Sequence, residues 1–430
     1  MIHRGSHRRS EPTPFLDGRA SSPYTRVGRW GCGRTRGEGG VATRRNLALT
    51  FFLIGLTSYG GPAIVAQIRQ VIVLKRRWLS EEEFQESLAF CQTIPGPIAV
   101  QTAAHIGWRM YGGLGEALAL TAYVLPAFGL MLALSAAYFR FGSVPLVAAV
   151  FKGLGAVVVG IVAESILSMT QTALKDWRGL LIASAAAAAF FTRQNTLLVL
   201  FGSAAVGALL IGGPPWRWRA APAPTSSHSG NRGLWRSAAW ATAIGLFFAA
   251  LVVASGKAWP LFPALGTTMV KVNLLAFGGG YTAVALMYQQ VVSSHGWLTA
   301  KEFIDGLALG QITPGPVIVT ATFIGYRLGG VAGAFFATAC VFIPSSLLMV
   351  VLAPQFERIR RYALVGACVR GLLAAFIAML FMVLWQVGRA SLLDRPTLAM
   401  ALLALAALRF KVNPVWVILA ALAVAAVFFR

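Results

Sequence analysis

The chain has 430 residues, of which 57% are hydrophobic and only 12% charged, and it carries a formal net charge of +23. A mean hydropathy of +0.69 and several apolar runs near the roughly 20 residues that a helix needs to cross a bilayer exclude a soluble core. They imply an all-α, polytopic integral membrane protein. No Walker A motif, catalytic triad or pair of carboxylates suited to hydrolysis occurs, so a non-enzyme driven by an ion gradient or the membrane potential is expected.

Residues 1–45 hold ten Arg and no apolar run. They do not read as a secretory signal. A basic, disordered cytoplasmic tail held near anionic headgroups is expected, with no nucleic acid as partner. Apolar segments follow near 46–68, 88–107, 113–139, 145–171, 179–192 and 196–213, which make a first repeat over 46–213. Residues 214–260 make a linker: a Pro-, Ser- and Arg-rich stretch and then one extra apolar segment, Ala238–Ser255. A second repeat over 261–430 has segments near 261–287, 307–326, 330–353, 363–387, 397–408 and 414–429.

The duplication is legible residue by residue. Trp78, Phe84, Gln92 and Pro95-Gly96-Pro97 recur as Trp297, Phe303, Gln311 and Pro314-Gly315-Pro316, all at an offset of 219, as does Gly60-Gly61 in Gly279-Gly280. At an offset of 218, Gly107, Arg109, Lys152 and Asn195 recur as Gly325, Arg327, Arg370 and Asn413. Six segments, one linking span and six more give thirteen, so the repeats enter the membrane from opposite sides. Such an inverted repeat is a common plan of secondary transporters. The bias of Arg and Lys puts the N-terminus, the linker and the loop with Arg358, Arg360 and Arg361 in the cytoplasm. Arg69, Lys75, Arg76 and Arg77 disagree: either 46–68 is re-entrant, or that loop tolerates its charges.

Pro95 and Pro97 donate no backbone hydrogen bond and disfavour helix in the residue before each, so Pro-Gly-Pro interrupts an apolar run at membrane depth. Gly60-Gly61-Pro62 and Gly278-Gly279-Gly280 predict a second pair of breaks. Unpaired backbone is tolerated there only where protein or a polar cavity receives it. A helix restarting after a break offers free N–H groups and a positive dipole end to an anion. The prolines alone would also serve as packing kinks; the matched spacing and the amides Gln92 and Gln311 favour a substrate site. Lys152 and Arg370, and Arg109 and Arg327, are charges at matched positions, although the latter pair sits where snorkelling is natural. Lys271 and Glu164 lack charged counterparts and read as local partners or coupling groups. His105 reads as a packing histidine before a proton relay. Cys32, Cys91, Cys340 and Cys368 form no CxxC and no His-rich cluster, so neither a metal nor a cofactor is expected.

Ser58-Tyr59-Gly60-Gly61-Pro62, Arg76-Arg77-Trp78-Leu79, Phe84, Gln92, Pro95-Gly96-Pro97, Ile106-Gly107-Trp108 and Leu125-Pro126 resemble the first domain of the chromate ion transporter family. Phe277-Gly278-Gly279-Gly280-Tyr281, Trp297-Leu298, Phe303, Gln311, Pro314-Gly315-Pro316, Ile324-Gly325-Tyr326 and Ile343-Pro344 resemble the second. The likeness covers about 46–430. It implies a bidomain protein of the bacterial inner membrane that exports chromate and confers resistance, built as an antiparallel duplication. It also implies that the Gly-Gly-Pro and Pro-Gly-Pro residues are essential and that nearby basic residues assist. The candidate substrate-binding set is then Gly60, Gly61, Pro62, Gln92, Pro95, Gly96, Pro97, Arg109 and Lys152, with Gly279, Gly280, Gln311, Pro314, Gly315, Pro316, Arg327 and Arg370. Tyr59 stands for the usual Phe, and Ile98 and Val100 stand where some relatives carry polar residues. Sulfate is also a tetrahedral dianion, so a sulfate or other oxyanion transporter, importing included, remains open, as does a membrane scaffold without flux. The lipid bilayer is an expected partner; a homodimer is open.

Overall fold

The computed structural model describes residues 43–59, 61–142, 144–174, 176–192, 194–212, 260–353 and 363–428, with a few positions between 242 and 250. The basic tail 1–42, Gly60, the Pro-rich linker, most of the linking segment 238–255 and the loop with Arg358, Arg360 and Arg361 lie outside the described residues. Among the described residues every regular element is helical. The first repeat runs α1 (Arg44–Thr57), α2 (Gly61–Arg69, continued by a wider turn Gln70–Lys75), α3 (Glu81–Thr93), α4 (Ile98–Phe141), α5 (Pro145–Ala173), α6 (Trp177–Phe191) and α7 (Thr196–Leu210). The second runs in the same order: α8 (Phe262–Leu275), α9 (Gly280–Tyr288, continued by Gln289–Ser294), α10 (Ala300–Ile312), a short turn Val317–Val319 leading into α11 (Thr320–Leu352), α12 (Ala363–Ser391), α13 (Arg395–Arg409) and α14 (Pro414–Phe428).

Local chemistry sets the boundaries. α3 opens on a capping box: Glu83 N–H donates to Ser80 Oγ at 3.1 Å, and Ser80 N–H donates to Glu83 Oε2 at 2.8 Å. Thr299 and Glu302 do the same for α10. α3 stops at Thr93 because Pro95 disfavours helix at Ile94, and Gly96 then takes φ +120°. α4 is two limbs, since Tyr111 and Gly112 leave helical geometry and reverse the chain, with Gly112 at φ +62°. Gly329 and Gly330 do this in α11. The limbs of α4 touch at Gly107 and Gly115, and those of α11 at Gly325 and Gly333, so closely that a Cβ on any of the four would strike the facing carbonyl oxygen.

These contacts define re-entrant hairpins. Arg109, near the end of the first limb of α4, bonds to the Glu83 carbonyl at the start of α3 at 3.2 Å. The two legs are therefore antiparallel and joined at the Pro-Gly-Pro, which is the tip. In the second repeat Phe262, at the start of α8, packs at Gly329 and Phe336, while Asn273, near its end, bonds Ser345. So α8 runs alongside the second limb of α11 in the same direction. The chain must be back at its starting face before α10 begins, which makes α8–α9, and likewise α1–α2, a hairpin as well. The apolar segments 46–68, 88–107, 261–287 and 307–326 thus turn back; the sequence leaves that open for 46–68 and predicts one crossing for each of the other three. The physical reason is the Gly and Pro at their centres. Re-entry also resolves the charged loop 69–77, which lies at the same face as the start of α1.

Replacing two crossings by two returns leaves the parity unchanged, and the repeats are inverted. The base of the first repeat's hairpins lies at the start of the second limb of α4, beside Gly112. The base of the second repeat's lies at the far end of that limb, where Arg327 sits over Phe139 at 5.8 Å and Tyr326 stacks on it at 5.9 Å. Four helices, Ile98–Phe141, Val147–Gln171, Val317–Leu352 and Leu364–Ser391, are long and apolar enough to cross a membrane. α6 and α7, 15 residues each, pack together against α12.

The glycine contact inside α4 gives a direct test. Gly107→Val is expected to destabilise by about 3 kcal/mol, because the obstacle is backbone and cannot move aside. Gly113→Ala, where a Cβ meets nothing within 4 Å, should leave the unfolding midpoint in detergent nearly unchanged.

Candidate functional site

Four hairpin tips meet in the interior, at Ser58–Tyr59, Pro95–Pro97, Ala276–Gly280 and Pro314–Pro316. They are joined crosswise. Gly96 N–H donates to Ala276 O at 2.7 Å, and Gly315 N–H donates to Ser58 O at 2.7 Å. Each Pro-Gly-Pro tip therefore satisfies the carbonyl left open by the broken helix of the other repeat. Both glycines sit at positive φ, +120° and +115°. Pro95, Gly96, Pro97, Pro314, Gly315 and Pro316 are all buried. These two amides are accordingly engaged with protein, and free donors at the tips must come from the helix starts that follow.

The two joints are lined differently. Beside Gly96, Ser345 N–H donates to Asn273 Oδ1 at 2.7 Å and Asn273 Nδ2 donates to Ser345 Oγ at 3.1 Å. Gln101, fully buried, donates through Nε2 to the Pro95 carbonyl and leaves Oε1 without a partner. The matching positions beside Gly315 are Gly55, Ala127 and Thr320. Gln311 is buried, whereas its counterpart Gln92 is exposed. Gly61 starts α2, Gly280 starts α9, and a Cβ at Gly279 would meet nothing within 4 Å.

The predicted basic residues do not reach the tips. Arg109 contacts Glu83 at 3.3 Å and Glu86 at 3.7 Å, and Arg327 contacts Glu302 at 3.3 Å, so each clasps the open base of its own hairpin. Lys152 bonds Asp394 at 2.5 Å and ties α5 to the turn before α13. Hydrogen bonds from Lys152 and then Thr397 hold the Asp394 carboxyl below its usual range. Arg69, similarly, lowers that of Glu81 at 2.8 Å. Arg370 and Lys271 are exposed. His105 stacks on Trp108 at 5.7 Å and tilts against Phe90 at 4.9 Å, which is a packing role. A groove of about 430 Å³ between α5, α12 and α13 is lined by apolar side chains with Arg389 as its charge, and lies apart from the tips.

One pair escaped sequence reasoning although the offset of 219 carries it: Glu86 and Asp305. Asp305 is 3% exposed and accepts a hydrogen bond from Tyr138 of the first repeat at 2.7 Å. Tyr138 is boxed by Phe139, Phe151 and Phe323 at 4.9–5.3 Å. This contact holds the second repeat's hairpin against α4. Tyr281 also escaped; it follows Gly280 and has Ser165, Gln311 and Glu164 as polar neighbours.

Residues 45–208 and 263–426 each match the family described as Chromate transporter. A chromate transport protein of Cupriavidus metallidurans is 33% identical over 375 residues, 86% of this chain and 89% of that one. A probable chromate transport protein of Synechococcus elongatus is 33% identical, covering 84% and 88%. An uncharacterized transporter of Methanocaldococcus jannaschii is 31% identical, covering 78% and 82%. No solved structure matches the chain.

The Tyr138–Asp305 bond predicts a measurable coupling. Tyr138→Phe leaves a buried carboxylate short of its donor and should destabilise by about 1–3 kcal/mol. Asp305→Asn made in the Tyr138→Phe background should cost less than Asp305→Asn alone, and thermal unfolding of the four proteins measures the difference.

Proposed function

The chain belongs to the chromate transporter family, and from that premise we propose that it is a secondary transporter carrying chromate out across the bacterial cytoplasmic membrane. Its N-terminus then lies in the cytoplasm, and the membrane potential or a proton gradient supplies the energy. The observation that carries this reading is the crosswise meeting of four re-entrant tips. Broken backbone inside a membrane protein is tolerated where protein buries it or a polar cavity receives it; protein meets the two tip amides, and the helix starts beside them, from both repeats, are read as facing one interior region. Those starts present N–H groups and positive dipole ends, which suit a tetrahedral dianion. Export of such an ion from a negative-inside cell is favoured by about 2.3 kcal/mol per charge per 100 mV. The residues proposed to form the path are Gly60, Gly61, Pro62, Gln92, Pro95–Pro97, Gly279, Gly280, Gln311 and Pro314–Pro316. The cations Arg109, Arg327, Lys152 and Arg370 contribute through hairpin geometry and repeat packing.

Hydrogen-bond donors on backbone discriminate chromate from sulfate only by size, so sulfate is the competing substrate on the same path. Cells expressing the chain should accumulate less chromate than controls, and an uncoupler should abolish the difference. Raised accumulation, with the protein shown to be inserted, would reverse the proposed direction. Pro95→Ala and Pro314→Ala should each abolish flux in liposomes while still inserting. Full flux in both would remove the tips from the path.

A further inference from the structure

We propose that the oxyanion seat is one-sided: it lies at the second repeat's tip, at the start of α9, with the Tyr281 hydroxyl and the Gln311 amide as its side-chain donors. This rests on the tips being the transport path, and adds which tip holds the ion and through which groups.

Several observations converge there. α9 starts at Gly280 and runs for 9 residues, so its first amides have no helical acceptor and carry the positive end of the dipole. Its approach is open, since a Cβ at Gly279 would meet nothing within 4 Å. The start of the next helical leg adjoins it, with Val317 at 3.7 Å from where a Cβ on Gly280 would stand. Gln311 is 7% exposed; its Nε2 closes no hydrogen bond of good geometry among the described residues, although the Tyr281 hydroxyl stands close enough to interact with it. A buried amide donor without an acceptor is costly. An oxyanion, which presents acceptors only, supplies what it lacks. Beside Gln311 stands the Tyr281 hydroxyl, flanked by Ser165, whose own hydroxyl donates to Ile161 O at 2.8 Å.

The first repeat cannot reproduce this arrangement. Pro62 stands for Tyr281, and Val383 for Ser165. Of the donor set it keeps only Gln92, which is exposed.

Glu164 gives the proposal a sign. It precedes Ser165 on α5 and is an acidic neighbour of Tyr281. A dianion in the seat is repelled by that carboxylate. Removing the charge should therefore tighten binding, whereas removing a donor should loosen it.

The test is equilibrium binding of radiolabelled chromate to the full chain in nanodiscs, with unlabelled sulfate as competitor. Tyr281→Phe and Gln311→Ala should each weaken chromate binding about tenfold, the loss of one hydrogen bond to a charged group. Glu164→Gln should tighten it severalfold. A loosened fold weakens all three variants, so the opposite sign of Glu164→Gln marks a direct effect. If the wild type binds chromate and both donor variants, monodisperse on gel filtration, bind it equally well, the seat lies elsewhere. The transport reading survives that result. If the wild type neither binds nor transports chromate or sulfate, the transport reading fails and the seat with it.

Discussion

Two backbone hydrogen bonds hold the centre of this protein together: Gly96 N–H to Ala276 O, and Gly315 N–H to Ser58 O. Each repeat contains a broken helix whose carbonyl needs a donor and a hairpin tip whose amide needs an acceptor. In water both needs are met by solvent; inside a bilayer each unmet group costs several kcal/mol. The repeats meet the need in one another, each supplying the donor that the other's broken helix lacks. Much of the remaining architecture follows. The tip residue must be Gly because its φ lies near +120° and +115° and its Cα is pressed against Ser345 or Ala127. Flanking prolines keep the tip from winding into helix. The Arg109 and Arg327 clasps hold the hairpin bases so that the tips arrive where the opposite carbonyl waits.

A joint made of two equivalent bonds would be symmetric if its surroundings were. They are not. Asn273, Ser345 and Gln101 surround one bond, and Gly55, Ala127 and Thr320 the other. Gly55 lets α1 lie directly on the Tyr123 carbonyl, whereas Asn273 reaches the Ser345 amide through its side chain. The same backbone plan is thus packed by close approach on one side and by a side-chain bridge on the other. Asp305 holds Tyr138 across the repeat boundary, while its counterpart Glu86 faces Arg109 inside its own hairpin. Gln311 is buried and Gln92 exposed. The second repeat's Pro-Gly-Pro hairpin is the more deeply buried of the two.

The duplication, the breaks and the inversion were legible in the sequence because Gly and Pro act on backbone directly and recur at a fixed offset. Re-entry was not. An apolar run such as 88–107 buries the same side chains whether it crosses or turns back, and hydropathy records only burial. The one sign was the charged cluster Arg69, Lys75, Arg76 and Arg77, which fits a hairpin base and not a far-side loop. The matched cations misled for a related reason: a repeat preserves whatever the hairpin needs, and Arg109 and Arg327 are needed at its base. Tyr281 and Ser165 were invisible to that logic, since their counterparts Pro62 and Val383 share no chemistry with them. Symmetry exposes scaffold and is blind to residues present in one repeat alone.

The position of the cations also bears on turnover. A Lys or Arg about 4 Å from an anion in a medium of effective dielectric near 20 contributes about 4 kcal/mol per charge, or roughly twice that for a dianion. Such a trap at the midplane would hold the ion far longer than a transport cycle allows, and conduction requires binding weak enough to leave. Among the described residues the candidate cations are committed to hairpin bases and faces, leaving the tips to helix dipoles and neutral donors. Hydrogen bonds of this kind are worth about 1.5–3 kcal/mol each to a charged partner, and they are lost one at a time as a hairpin shifts. On the proposed reading, a shift of the hairpins would loosen a site made of backbone ends, because the helix starts proposed to hold the ion lie on those hairpins.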